Sequence, residues 1–318
     1  MYLNRHSDSD PQQMLGLFTT DDFMAQQDFS TLHLVVLGRL SQDLEILLKN
    51  NQAEVNLQDA NGRTPLLWAA WRGDATSVLL LLKYGAEVNK TDHECYTPLA
   101  KAAQAGHLST IEILLTAGAD MHITTSWGHQ PIHLASENKV DGHMIVEALL
   151  EWGANPNAYS KGSGTPLHNA ANRGSIRTIK TLIAHGANID AIGIHGSTAV
   201  MVALYCWNEP VFIYLTKLHA RLDIVDNIGH NIVQLATWTA SVKAWDLLIE
   251  CAESGALGKI DVNASHDGHT IEKCYHSCRK LWYIGKREDT NVECSRFRRM
   301  IETCHFERPF PSRSCDLI

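Results

Sequence analysis

The chain lacks the motifs that carry common enzyme chemistry. It holds no nucleotide-binding glycine loop, no HExxH metal-hydrolase helix and no GxSxG nucleophile elbow. No stretch approaches the roughly 20 consecutive apolar residues that cross a bilayer. The start, MYLNRHSDSDPQQ, has none of the basic and then apolar run of a secretion signal. These absences lead us to expect an intracellular protein of cytoplasm or nucleus, with no membrane partner. Positive charge is in deficit too: 27 Lys and Arg against 35 Asp and Glu leave −8 over 318 residues. Such a chain has no general attraction for phosphate backbones, so nucleic acid is not expected as its ligand. One end departs from this average. Residues 273–313 carry ten Lys or Arg against five Asp or Glu, a local +5 that leaves about −13 elsewhere. A basic end can steer an acidic partner, although charged residues around a terminal helix are most often simply solvated. Disulfides are not expected: of the eight cysteines, Cys95, Cys206 and Cys251 stand singly, without partners at matching places.

What the chain has in place of motifs is a period. TPLLWAA at 64–70 returns as TPLAKAA at 97–103, QPIHLAS at 130–136 and TPLHNAA at 165–171. It then weakens into TAVMVAL from Thr198 and NIVQLAT from Asn231, so the steps are 33, 33, 35, 33 and 33 residues. A period that constant means one supersecondary unit stacked on copies of itself, and we expect one elongated body. Within a copy, Asp59 and Gly62 have turn chemistry. Thr64 is placed to cap a helix that opens on Pro65, where a missing N–H costs nothing. Ala69 and Ala70 let neighbouring helices approach, Gly73 breaks the chain, Val78, Leu81 and Leu82 recur at helical spacing, and Gly85 ends the second helix.

This unit resembles the ankyrin repeat, whose Thr-Pro-Leu-His, paired alanines, Leu-Leu and Gly-Ala recur on a 33-residue period. The resemblance implies an α-solenoid: a stack of about seven helix-turn-helix units with short β-hairpin fingers over residues 28–263. A polar segment or capping helix is expected at 1–27, a helical C-terminal cap at 264–306 and a flexible tail at 307–318. The fourth copy has two extra residues, placed at 137–141 between its helices. The sixth puts His219 at its helix-ending glycine and Trp207 at its loop glycine, which should make the late copies less regular.

Histidine is abundant, at 17 residues. His33, His133 and His168 take the fourth place of the Thr-Pro-Leu-His phrase, and they, with His107 and His143, are given structural roles by the family resemblance. His93, His129, His195 and His230 fall in the fingers and are expected to face solvent. With Glu94 they make an acid–base group conceivable, though polar contact is the simpler role. Near the C-terminus, Cys274, Cys278, Cys294, Cys304, His269, His276 and His305 are of the kinds zinc binds, but their spacing matches no standard finger. No metal and no cofactor is expected.

In the family's register the concave wall is lined by finger tips and inner helices. The candidate partner-binding residues on it are Arg63, Trp68, Trp71, Arg72, Tyr96, Lys101, Gln104, Trp127, His129, Asn169, Arg173, Tyr205 and Trp238. Four of the eight tryptophans fall there, and Trp, Tyr and Arg are the types enriched among binding hot spots. The alternative for Trp68 and Trp71 is packing on the neighbouring copy. The leading expectation is therefore a non-catalytic protein-interaction module or adaptor that grips a peptide or folded domain and is monomeric on its own. A substrate-recognition adaptor of a ubiquitin-ligase-type assembly is the second reading. The third is an unusual small-molecule binder or enzyme using His129, His195, Glu94 and aromatic walls.

Overall fold

The computed structural model describes residues 29–50, 55–239 and 242–254. The expected N-terminal segment, the C-terminal cap with its cysteines and histidines, and the tail lie outside these residues. The described residues hold fourteen α-helices in seven pairs, with one short 3-10 turn at Ile194–Gly196. The chain divides into two compact units, residues 1–188 and 189–318.

In the first unit the helix pairs are α1 (Thr31–Leu37) with α2 (Ser41–Asn50), α3 (Pro65–Trp71) with α4 (Ala75–Lys83), and α5 (Pro98–Ala105) with α6 (Leu108–Thr116). They continue as α7 (Pro131–Glu137) with α8 (Gly142–Glu151), and α9 (Pro166–Arg173) with α10 (Ile176–Ala184). The first helix of each pair packs on the first helix of the next, and the second on the second, which gives two rows of helices. The second unit repeats this scheme with α11 (Ala199–Tyr205) and α12 (Glu209–Lys217), then α13 (Ile232–Thr239) and α14 (Val242–Glu253).

The Thr-Pro phrase works as its chemistry requires. Thr64 Oγ1 accepts from the Leu67 amide at 3.2 Å and Thr97 Oγ1 from Ala100 at 3.1 Å, with proline at the first helical turn. At the fourth place His33 and His133 each tie two copies together. The Ser30 amide donates to His33 Nδ1 at 3.1 Å and the Gln130 amide to His133 Nδ1 at 3.2 Å. On the far side of each ring, His33 Nε2 lies 2.9 Å from the Arg63 carbonyl and His133 Nε2 3.1 Å from that of Ala158. A nitrogen that receives an amide proton must be bare and one facing a carbonyl must carry hydrogen, so both rings are neutral with the proton on Nε2.

Each finger is a hydrogen-bonded turn. The Asp59 amide donates to the Arg63 carbonyl at 2.9 Å, and Asp59 Oδ1 accepts the amides of Asn61 and Arg63 at 2.8 and 2.9 Å. Asp92 and Asp226 do the same one and five copies later. Within the first unit successive fingers are joined, His93 amide to Asn61 carbonyl and Ser126 amide to Glu94 carbonyl, each at 3.0 Å. Among the described residues the hairpin character is confined to isolated bridges, Ser160 with Gly164 and Val225 with Asn231.

The extra residues of the fourth copy are taken up at 138–141, between α7 and α8, and in the ten-residue α8. Four non-glycine residues have left-handed backbone where other copies carry glycine: Arg39 (φ 55°), Cys95 (64°), Trp207 (59°) and His219 (60°). For an L-residue that conformation costs about 1–2 kcal/mol.

Two predictions follow from this geometry. Cys95 is exposed and shares its finger position with left-handed Gly62 and Gly128. Cys95→Gly should therefore raise the unfolding free energy by about 0.5–1 kcal/mol in urea titrations, after the added freedom of the unfolded chain is allowed for. Cys95→Ala, which keeps the β-carbon, should change it little, and an equal response of the two variants would rule out strain. The second concerns His133, whose pKa is pushed down to about 4 by burial first and by neighbouring His129 next, against the pull of the Ala158 and Gly164 carbonyls. The folded ring thus resists a proton that the unfolded ring accepts near pH 6.5. Its contribution is intact above that pH and is lost as pH falls from 6.5 toward 4, by up to roughly 3 kcal/mol. His133→Gln should be less stable at pH 7 yet show a shallower loss between pH 6.5 and 4 when the two proteins are unfolded side by side.

Candidate functional site

The aromatic and basic residues expected on the wall do gather, but inside the first unit. Trp68, on α3, is 1% exposed, and its indole Nε1 donates to Asp59 Oδ2 at 2.8 Å. The Arg63 guanidinium lies 5.3 Å from the Trp68 ring centre and 5.1 Å from that of Trp71. Lys101 is fully buried on α5, its Nζ 3.8 Å from the ring centre of Tyr96 and 5.1 Å from that of Trp71. Asp92 answers these cations: Oδ2 is 3.8 Å from Arg63 Nε, while Oδ1 holds the finger amides. Burial raises the Asp92 pKa, and the Tyr96 amide, Lys101 and Arg63 oppose that rise in descending order. The result is a buried cluster of cations, carboxylates and aromatic faces in which each charge has an opposite charge or a π-face beside it.

This corrects the surface expected at Arg63, Trp68, Trp71, Tyr96 and Lys101, all of which are buried in the free chain. They have no area left to give a partner, and packing on the neighbouring copy is the role the structure assigns to Trp68 and Trp71. The cause is directional. Side chains on a helix lean toward its N-terminus, so Trp68 and Lys101, one turn into α3 and α5, reach back to the finger bases. His129 and His230 need the same correction. Expected in solvent, they occupy the fifth finger place with Arg63 and Tyr96, and this place points inward. His129 stacks on His133 with ring centres 5.9 Å apart. In the second unit Tyr205, half-buried, donates its hydroxyl to Asp226 Oδ2 and lies 3.0 Å from His230 Nδ1, which is itself 3.4 Å from Asp226 Oδ2. His93, Glu94 and His195 are exposed as expected, but a buried His129 cannot serve acid–base chemistry on an outside substrate.

The remaining candidates divide. Asn169 is buried, its Nδ2 donating to Glu137 Oε1 at 2.9 Å, and half-buried Arg173 is 3.4 Å from Glu137 Oε2. Arg72 and Gln104 are half-buried. The Trp238 side chain lies outside the described residues. Trp127 is the candidate that stands out in solvent, 53% exposed. Tyr159, which sequence reasoning missed, is 57% exposed one finger further, and Ser160 Oγ donates to the Trp127 carbonyl at 3.2 Å. Its signal was an aromatic residue just ahead of a finger turn, a place held by Gln58, Thr91 and Thr124 in earlier copies. Among the described residues no group of three or more His, Cys, Asp or Glu is arranged to hold a metal, and no helix is long and apolar enough to cross a membrane.

Comparison with known proteins agrees with the repeat geometry. A family model for ankyrin repeats in three copies matches residues 12–92 and 91–160, and one for the single ankyrin repeat matches 164–194. Together these cover more than half of the chain, which belongs to the ankyrin-repeat family. The match starts before residue 28 and stops at 194, whereas α11–α14 continue the paired-helix pattern beyond it. Similar proteins include the putative E3 ubiquitin-protein ligase XBAT34 of Arabidopsis thaliana, 45% identical over 78 residues, 24% of this chain and 20% of that protein. Human palmitoyltransferase ZDHHC13 is 31% identical over 198 residues, 62% of this chain and 32% of its own length. The human transient receptor potential cation channel subfamily A member 1 is 29% identical over 169 residues, 51% of this chain and 12% of the channel. The chain thus spans about a third or less of these relatives.

The buried cluster generates a prediction of coupling. Lys101→Met keeps volume but removes a charge that favours ionised Asp92, and should cost about 2–4 kcal/mol in chemical unfolding. Asp92→Asn should cost less in the Lys101→Met background than in the parent, with a coupling of about 1–3 kcal/mol. Strict additivity would mean that the two charges do not support each other.

Proposed function

We propose that the chain is a non-catalytic protein-interaction module that holds its partner at the finger tips and the adjoining inner-helix face. The observation that carries this reading is the pair Trp127 and Tyr159: two large aromatic side chains more than half exposed, one on a hydrogen-bonded finger turn and the other next to Ser160, which opens the following finger. Aromatic side chains on rigid supports bind at low entropic cost and dominate interface energetics. Gln104 on α5 and Arg173 on α9, both half-buried, add polar contacts on the inner-helix face. The relatives support the same reading. Their names speak of ubiquitin ligation, palmitoyl transfer and cation conduction, and a segment common to such different activities is better explained by recognition than by any one chemistry.

A second reading, a substrate-recognition adaptor for ubiquitin ligation, is favoured by the 45% identity to the Arabidopsis ligase. Affinity purification of the full chain from cells, with Trp127→Ala/Tyr159→Ala as comparison, tests both. Each truncated anchor should weaken a direct partner by about 2 kcal/mol, roughly thirtyfold, while the melting temperature stays unchanged because both side chains are exposed. Undiminished partner recovery by the double variant would overturn the finger-tip site. Ligase subunits that stay with the double variant while its substrate is lost would establish the adaptor.

A further inference from the structure

The helix-joining loop of the first pair departs from its neighbours in carrying Arg39 in the left-handed conformation that Gly73 and Gly106 have in the next two. The strained residue is a cation, and it bonds to the backbone of another. Arg39 Nη2 donates to the Arg72 carbonyl at 3.4 Å, and Arg72 Nη1 donates in return to the Leu37 carbonyl. His107, at the start of α6, closes the group from the third pair, its Nε2 donating to the Trp71 carbonyl at 3.1 Å. Burial, then the charge of Arg39, lowers the pKa of Arg72, and burial with Arg39 also lowers that of His107. The acid that favours the Arg72 charge is Asp74, but its carboxylate is already engaged by Ser77, amide at 3.2 Å and hydroxyl at 2.6 Å. Among the described residues neither Arg39 nor Arg72 takes part in an ion pair, in contrast to Arg63, Arg173 and Arg221.

We propose that Arg39 and Arg72 form a binding site for an oxyanion, carboxylate or phosphoryl, presented by a protein partner. A guanidinium carries about five N–H donors in a planar fork that matches two oxygens of one anion, and each of these two uses one donor on a carbonyl. Those carbonyls, at the ends of α1 and α3, oppose an anion by themselves, and the guanidiniums that cover them reverse the local sign. An anion bound to both guanidiniums offsets the effect of Arg39 on Arg72, and Arg39 is held in an unfavourable backbone conformation at the position where it contributes its charge. The proposal draws on the interaction-module reading solely for the origin of the anion.

The test uses the full chain, with fluorescent octaglutamate and inorganic phosphate as separate probes. Arg39→Gly removes one guanidinium and the backbone strain together, so the variant should melt no lower than the parent. Octaglutamate or phosphate should shift the Arg39 and Arg72 Nε–H resonances, bind at least about tenfold more weakly to Arg39→Gly, and lose affinity as salt rises from about 50 to about 200 mM. Arg72→Lys, which keeps charge without the fork, should fall in between. Binding of octaglutamate alone identifies the source as carboxylate, and binding of phosphate alone as phosphoryl. Unshifted arginine resonances with both probes, or full affinity in Arg39→Gly, would overturn the site. Trp127→Ala/Tyr159→Ala protein should bind the probes normally, so failure of the finger-tip reading remains distinguishable from failure of this one.

Discussion

Among the described residues, several copies leave polar groups open that the next copy closes, and the distance along the chain at which they close is nearly constant. Asn56 Oδ1 accepts the Glu87 amide at 2.8 Å, Asn89 that of Asp120 at 2.9 Å, Asn157 that of Asn188 at 2.7 Å, and Asp190 that of Arg221 at 2.7 Å. Each of these bonds spans 31 residues. The histidine bridges from His33 to Arg63 and from His133 to Ala158 and Gly164 work over similar separations. The asparagine and Asp190 bonds are exposed and the histidine bridges buried; a buried carbonyl left unpaired costs about 1–3 kcal/mol, so a copy of the wrong length would lose the bridges along with the exposed bonds. Register is therefore the constraint, and the fourth copy demonstrates it. Its two extra residues are absorbed in 138–141 and α8, away from the finger turn and the asparagine step on either side.

The same register explains why charge can be buried so deep in a thin stack. The paired alanines, Ala69-Ala70 and Ala102-Ala103, are fully buried and bring α3 and α5 close. The larger residues beside them, Trp68, Trp71 and Lys101, are then directed to the finger base. A carboxylate waits there with two oxygens and two tasks. In Asp59 one oxygen holds the turn amides and the other the Trp68 indole; in Asp92 the second oxygen faces Arg63, and in Asp226 the Tyr205 hydroxyl. Fingers that start with Thr125 or Ser160 hold their turns through a hydroxyl instead. Aspartate thus occurs where a donor or cation beneath the finger needs its second oxygen.

How much of this was legible depended on whether a residue's role is local. Thr64 before Pro65, the left-handed Gly85 and the substitute His219 all follow from backbone preferences within a few residues, and the structure has each in place. The family and the paired-helix architecture were legible for the same reason, since a period needs no knowledge of contacts. The direction of a side chain in a helix of seven or eight residues was not, because periodicity over two turns cannot tell an outward face from one that leans onto the next copy. Trp68, Trp71 and Lys101 were misplaced for this reason, and Arg63, Tyr96, His129 and His230 because a finger residue was taken to be a solvent residue. A tighter clue was present: each of Arg63, Tyr96 and His230 stands four residues after an aspartate, and that carboxylate pulls in the backbone amide of that residue.

With the inward places occupied by structure, the proposed recognition rests on the finger tips and the loops between paired helices. Trp127 sits on a turn closed by the Gly128 amide to the Thr125 carbonyl at 2.8 Å and is linked to the next finger through Ser160. Arg39 and Trp207 hold left-handed loop positions that glycine fills at less cost. A repeat fold can change these residues without touching the bonds that set its register, because neither the asparagine steps nor the histidine bridges pass through them. That separation allows one scaffold to sit inside relatives named for unlike activities while each chain presents its own chemistry at the surface. In this chain that chemistry is aromatic at the finger tips and cationic at the first helix-joining loops.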